Sequence, residues 1–147
     1  MKLNLLRIEQ LGEAISGSLY FEGKRICDTS ENAASCLAKG SYEIVRYPCK
    51  LYRRAALLII VDSKVNMTRK CQHCTPPEEV NMNTPCPCFC PQLKPGNGSH
   101  NRQDGSIRVG SSIIPGCLEH PLEFFNQLSD RIRKRLSRGG TVTLTID

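Results

Sequence analysis

The chain has 147 residues, of which 39% are hydrophobic and 23% charged, and its formal net charge is +6. This length suits one compact domain with its own core, and the composition excludes collagen-like, low-complexity and disordered chains. The longest apolar run, residues 55–61, is too short to span a bilayer, and the opening MKLNLLRIEQLGE lacks the apolar stretch of a secretory signal. We therefore expect one domain over residues 1–147 that is cytoplasmic at synthesis.

The first half of the chain is predicted to form strands. Leu3 and Leu5 alternate with polar neighbours, and strand-like residues 15–21 and 25–28 flank a short glycine-containing link that is typical of a hairpin. Residues 42–47 follow a Lys-Gly-Ser turn signal and predict a further strand. The continuous apolar run over residues 57–61 predicts a central strand that is buried on both faces.

Regular patterns stop over residues 66–95. Six prolines fall in this range, and each removes a backbone donor and fixes φ, so we expect an irregular insertion that holds most of the cysteines. A strand is predicted to resume at residues 107–109.

An amphipathic helix is predicted over residues 122–138, with Pro121 in its first turn and a Gly-Gly pair after its end. Its apolar positions recur at spacings of three and four: Leu122, Phe125, Leu128, Ile132 and Leu136. Phe124 is also assigned to the core. Alternating apolar residues and threonines over residues 141–146 predict a half-buried final strand. The predicted fold class is mainly β (α+β), a curled or barrel-like antiparallel or mixed sheet with one long C-terminal helix and a cysteine-rich insertion.

The insertion contains a pattern that is typical of a metal site. Five of the nine cysteines form a CxxC pair followed by a CxCxC run: Cys71, Cys74, Cys86, Cys88 and Cys90. Two thiolate pairs at this spacing suit tetrahedral Zn²⁺, and a cytosolic chain keeps its thiols reduced, so we predict a structural zinc ion. His73 is an alternative ligand, and disulfides formed outside the cell or free thiols are the other interpretations. The four remaining cysteines are predicted to be small buried hydrophobes: Cys27, Cys36, Cys49 and Cys117.

Four stretches, "KLNLLRI", "SGSLYFEGKRICDTSEN", "AKGSYEIVRYPCK" and "KPGNGSHNRQDGSIRVG", resemble in this order a small family of unknown function from bacteria and their phages. That family is sometimes linked to murein L,D-transpeptidases, in which a histidine-activated cysteine thiolate attacks a peptide carbonyl. The resemblance implies a similar scaffold and a cell-wall peptide as ligand. It also implies action after cell lysis or in a phage particle.

The two chemical positions of the resembled family are changed in this chain. The family's glycine matches Gly105, but Ser106 stands where the cysteine would be and Lys94 where the histidine would be. A serine needs an adjacent base, which Lys94 could supply, or His100 oriented by Asp104. The alternative is that His100 and its neighbours are turn formers and Ser106 is an ordinary strand residue.

Basic residues crowd the end of the predicted helix and could meet a polyanion. They are Arg131, Arg133, Lys134, Arg135 and Arg138. Many single-strand binders have aromatic residues interleaved with the basic ones, and this sequence does not. The alternative to polyanion binding is that these residues form a solvated helix end whose charge complements the helix dipole. No P-loop, dinucleotide fingerprint or HExxH motif is present, which argues against the corresponding enzyme classes.

These observations lead to three hypotheses about function. The first is an accessory protein with an L,D-transpeptidase-like scaffold, degenerate catalytic positions and a zinc-stabilised insertion, which binds a cell-wall peptide or another protein. The second is a peptidoglycan hydrolase or transferase with a serine nucleophile. The third is a zinc-stabilised nucleic-acid-binding protein. A membrane is not expected among the partners.

Overall fold

A computed structural model describes residues 1–49, 54–61, 91–96, 105–114 and 117–147. Within these residues the chain forms nine strands and one helix. In chain order they are β1 Lys2–Leu11, β2 Ala14–Phe21, β3 Lys24–Asn32, β4 Gly40–Cys49, β5 Arg54–Ile60, β6 Gln92–Pro95, β7 Ile107–Ile114, β8 Cys117–Glu119, α1 Pro121–Ser137 and β9 Thr143–Ile146.

Eight of the strands close into a barrel. Their order is β3-β2-β1-β9-β4-β5-β6-β7, and β7 returns to pair with β3. The pairs β1–β9 and β6–β7 are parallel, and the other pairs are antiparallel. The short strand β8 lies outside the barrel order and pairs with residues 111–114 of β7. Closure leaves the eight strands without a free edge. The predicted mainly β fold with a barrel-like mixed sheet and one C-terminal helix is confirmed.

Aliphatic side chains fill the interior of the barrel. Strands β1, β2, β4, β5 and β9 each contribute fully buried side chains, among them Leu5, Leu19, Ile44, Leu57 and Leu144. Strand β5 is apolar after Arg54, and its consecutive positions 57, 58 and 59 all have 0% exposure, so both of its faces are covered there. The prediction of a doubly buried central strand at residues 57–61 is confirmed for its first part, since Val61 is 48% exposed.

The β2–β3 hairpin has the tight turn that the sequence predicts. Phe21 pairs with Lys24, which leaves a loop of two residues, and Glu22 and Gly23 both have positive φ, 51° and 78°. Two successive positive φ values define the type I′ turn, whose twist matches that of the flanking strands. The turn sets the register of the first two pairs, and an irregularity between Leu19 and Tyr20 shifts the register by one residue in the rest of the hairpin. The charged start of β3 lies beside helix α1.

Helix α1 begins and ends within one residue of its predicted bounds. Pro121 occupies the first turn, where its missing N–H would have had no partner in the helix. At the other end the Gly139 N–H donates to the Leu136 carbonyl at 3.1 Å, and the Gly140 N–H donates to the Arg135 carbonyl at 3.2 Å. This pair of bonds with Gly139 at φ 75° is a Schellman motif, so the Gly-Gly pair terminates the helix as expected.

One face of helix α1 joins the barrel core. Its fully buried residues are Phe125, Leu128 and Ile132. Phe124 and Leu136 are half-buried against the same core. Leu122 was predicted to belong to this face, but it is 53% exposed, so the prediction is wrong for this residue. No helix in the described ranges is long and apolar enough to cross a membrane.

The predicted bounds of the irregular insertion are wrong at the C-terminal side. Residues 92–95 lie inside the range 66–95, yet they form strand β6, where Leu93 is fully buried and pairs with Leu57 and Ile107. Pro95 is tolerated because it is the last residue of the strand. Residues 66–90 lie outside the described residues.

Candidate functional site

The structure places Ser106 at the entrance to β7, where its hydroxyl bonds to a neighbouring strand. The Oγ accepts a hydrogen bond from the backbone N–H of Gln92 at 3.1 Å, and the residue is only 3% exposed. Gly105 precedes it with φ 78°, and a Cβ there would meet Leu37 Cδ2 at 3.1 Å and the Ser35 carbonyl oxygen at 3.3 Å. Glycine suits this position because its φ is positive and because a side chain would be crowded by Leu37 and Ser35. The hydrogen bond to Gln92 holds Ser106 against β6.

Lys94 and Ser106 share one face of the barrel on neighbouring strands. In the parallel pair β6–β7, Leu93 is opposite Ile107 and Lys94 is opposite Arg108. Because side chains alternate, Lys94 lies on the face of Ser106 but two positions further along the strands. Lys94 is half-buried. His100 and Asp104 lie outside the described residues.

A buried carboxylate, Asp28, joins β7 to the neighbouring strands β2 and β3. Asp28 of β3 is 8% exposed and accepts three hydrogen bonds, from the Ser18 hydroxyl at 3.4 Å, from the Ser112 backbone N–H at 2.7 Å and from the Arg25 guanidinium. These bonds join β2, β3 and β7 at one point. Sequence reasoning missed this residue because Asp28 stands where the predicted strand ended.

A second buried carboxylate, Glu31, lies near the end of β3. Glu31 has a side chain that is 1% exposed, and Arg7 donates to it twice, from Nε at 2.9 Å and from Nη2 at 2.8 Å. Arg7 also donates to the Leu37 carbonyl at 2.7 Å, and the bond to Glu31 raises the pKa of the guanidinium. The pair joins β1 to the end of β3 over the intervening strand β2, and the bond to Leu37 holds the segment after β3, so its role is structural.

The five predicted zinc ligands and His73 all lie outside the described residues. They are Cys71, Cys74, Cys86, Cys88 and Cys90. Within the described ranges, histidine, cysteine, aspartate and glutamate side chains form no group of three or more that could hold a metal.

Three of the four isolated cysteines have described side chains, and they differ in environment. Cys27 is 6% exposed, and burial raises the pKa of its thiol to about 12, so the prediction of a small buried hydrophobe is confirmed there. Cys36 is half-buried, with its thiol 3.6 Å from the Ala33 carbonyl. Cys117 is exposed, so the prediction is wrong for this residue, because the short strand β8 has only one paired neighbour.

A basic trough runs between helix α1 and the β2–β3 hairpin. It consists of two adjoining cavities of about 190 and 300 Å³ that share Arg131. Six cationic side chains line it, and all six are exposed: Lys24, Arg25, Arg131, Lys134, Arg135 and Arg138. Glu22 is the one carboxylate among its described lining residues.

Two aromatic rings lie in the basic trough among the cations. Phe124 lines the smaller cavity and Phe21 the larger one. The Arg131 guanidinium carbon lies 6.0 Å from the centre of the Phe21 ring, within the range of a cation–π contact. Sequence patterns predicted the basic helix end and the hairpin as separate features. They did not predict that the two line one trough, because these elements come together only when the barrel closes.

A scan against protein-family models, a search of curated proteins and a search of solved structures each found no match to this chain. The resemblance to the bacterial and phage family therefore rests on the four sequence stretches alone.

Proposed function

We propose that the protein acts by binding and not by catalysis, as an accessory protein with an L,D-transpeptidase-like scaffold whose catalytic positions are degenerate. The observation that carries this proposal is the hydrogen bond from the Gln92 N–H to the Ser106 hydroxyl. Ser106 occupies the position of the nucleophile, and there it holds β6 to β7. A strand-joining hydroxyl that is 3% exposed is poorly placed to attack a substrate carbonyl.

The proposed ligand is a cell-wall peptide or another protein. The interior of the barrel is filled by aliphatic side chains at the positions where a small ligand would otherwise enter. Binding would therefore use the outer surface of the barrel. The proposed role of zinc is to fix the insertion that precedes β6, through two thiolates of the CxxC pair and two of the CxCxC run.

A working hydrolase or transferase is the second candidate, and one observation favours it. Lys94 and Ser106 lie on the same face of adjacent parallel strands, as a Ser–Lys pair requires. Direct proton transfer between the two side chains is disfavoured, because the offset of two positions separates them by about 6–7 Å along the strand in addition to the distance between the strands.

Turnover of purified muropeptides by the full chain, followed by mass spectrometry, distinguishes the two candidates. We expect no turnover by the wild type, by Ser106→Ala or by Ser106→Cys, and we expect calorimetry to detect muropeptide binding by the wild type. Turnover that is lost in Ser106→Ala but kept in the matched strand variant Ser111→Ala would establish the enzyme. Absence of both turnover and binding would remove the cell-wall ligand from the proposal.

A further inference from the structure

We propose that the basic trough between helix α1 and the β2–β3 hairpin binds single-stranded nucleic acid. The residues of the trough are different from those around Ser106. Nucleic-acid binding in the trough therefore goes beyond the proposed function and does not depend on it. The proposal rests on three features of the trough, namely its uncompensated charge, its aromatic rings and its length.

Four of the six trough cations carry charge that no neighbouring carboxylate compensates. Arg25 pairs with Asp28, and Lys134 pairs with Asp130 at 3.0 Å. In the described part of the chain, no carboxylate oxygen lies within 4.0 Å of the other four, which are Lys24, Arg131, Arg135 and Arg138. Exposed arginines of this kind suit phosphate groups, because the planar guanidinium donates two parallel hydrogen bonds.

The helix dipole explains only part of this charge. Cations stabilise a helix end when they lie in its last turn, as Lys134 and Arg135 do. Arg131 lies a full turn earlier, where the dipole effect has fallen off, and Lys24 belongs to another element altogether. The cations therefore follow the whole groove. Those in the last turn of the helix are accounted for by the dipole, and the others are not.

The aromatic rings favour a single strand over other polyanions. Single-strand binders combine a basic groove with ring or guanidinium planes on which bases stack. Here the Phe21 ring supports the guanidinium of Arg131, and Phe124 lies in the adjoining cavity. An acidic polymer without aromatic groups has nothing to stack on these planes, whereas each base of a single strand offers a face to them.

The trough is long enough for several nucleotides. Its helical side runs from Phe124 to Arg138, which corresponds to about 21 Å along the axis at 1.5 Å per residue. The helical lining residues recur at spacings of three and four, so they form one continuous edge. The hairpin residues form the opposite edge. Phosphates can thus contact cations from both sides while the bases face the ring planes.

The test measures fluorescence anisotropy of a labelled 20-nucleotide oligo(dT) with the full chain over a series of salt concentrations. For single strands, log K falls with log salt by about 0.7 per phosphate contact. Replacing Arg131 and Arg135 by glutamine should lower the slope by about 1.4 and the affinity roughly 25-fold at 0.1 M salt. The matched control is Arg133→Gln on the same helix, because Arg133 pairs with Asp130 and lines neither cavity.

Two further probes separate the alternatives. Phe21→Leu should weaken binding of oligo(dT) but leave binding of inorganic polyphosphate unchanged, because only the oligonucleotide has bases to stack. Vesicles containing phosphatidylserine test the membrane as ligand. The proposal is overturned if oligo(dT) does not bind at 0.05 M salt, if Arg133→Gln is as damaging as the double variant, or if the vesicles bind and the oligonucleotide does not. Circular dichroism confirms that each variant is folded.

Discussion

Arg7 of β1 and Glu31 of β3 form a bidentate ion pair that spans β2, with Nε and Nη2 of the arginine 2.9 and 2.8 Å from the two carboxylate oxygens. The side chains are 16% and 1% exposed, so both groups have lost most of their water. The cost of that loss is offset only while the pair is complete, because either charge alone would be buried without compensation.

Glu31→Ala should therefore destabilise the protein by about 3–5 kcal/mol, measured as the free energy of unfolding in urea. The double variant Arg7→Met with Glu31→Leu removes both charges and should be less destabilising than the single one. A double variant that is as unstable as the sum of the two single variants would contradict this account of the pair.

Gly17 of β2 lies between Arg7 of β1 and Thr29 of β3 in the sheet, with no room for a side chain. A Cβ at this position would lie 2.7 Å from the Leu6 carbonyl oxygen and 2.8 Å from Thr29 Oγ1. The backbone oxygen cannot move without disturbing the barrel hydrogen bonds, so Gly17→Ala should cost about 1–3 kcal/mol of stability by urea unfolding. The control is Ser16→Ala on the adjacent, half-buried position, which should change stability by less than about 0.5 kcal/mol.

Cys27 should be the least reactive of the cysteines whose side chains are described. Only the thiolate reacts with iodoacetamide, and burial holds the pKa of Cys27 at about 12, whereas Cys117 is exposed. Peptide mapping after labelling at pH 8 should find Cys117 modified and Cys27 modified only after unfolding. Equal labelling rates would contradict the buried environment of Cys27.

The same thiol makes stability depend on pH in the alkaline range. Its pKa is raised from 9.0 in the unfolded chain to about 12 in the folded protein, so its contribution is complete below pH 9 and is lost as pH rises towards 12. Relative to Cys27→Ala, the wild type should lose stability progressively above pH 9. Parallel stability curves for the two proteins would show that the thiol is ionised equally in both states.

Local patterns were sufficient to predict the elements that bury one continuous face. The helix was predicted because apolar residues recur at its period and Pro121 and Gly139 mark its ends, and the hairpin because Gly23 permits a positive φ. The prediction failed where tertiary pairing overrides composition. Strand β3 continues through Thr29 and Asn32, which are polar yet 1% and 4% exposed, because β2 and β7 pair with it on both sides.

In the candidate sites, too, local features could be predicted from the sequence, whereas contacts between distant elements could not. Gly105 and Ser106 could be assigned to a strand start from the sequence, but the bond from the Gln92 N–H to Ser106 depends on β6, which proline content had hidden. The basic trough could be predicted only on its helical side. Its other side comes from a hairpin about a hundred residues earlier in the chain, and no local pattern reports which elements meet across a barrel end.

The cysteine-rich insertion should bind about one equivalent of zinc, because a segment with many prolines has few backbone hydrogen bonds and a structural zinc ion supplies roughly 10 kcal/mol or more of folding energy. The measurement is metal content with a free-thiol count on protein purified under reducing, anaerobic conditions without added zinc. Cys71→Ser and Cys74→Ser should lose the metal, whereas the control Cys117→Ser should keep it. Metal-free protein in which all the cysteines of the insertion are alkylated freely would eliminate the zinc site, and disulfides found among them would transfer the stabilising role to covalent bonds.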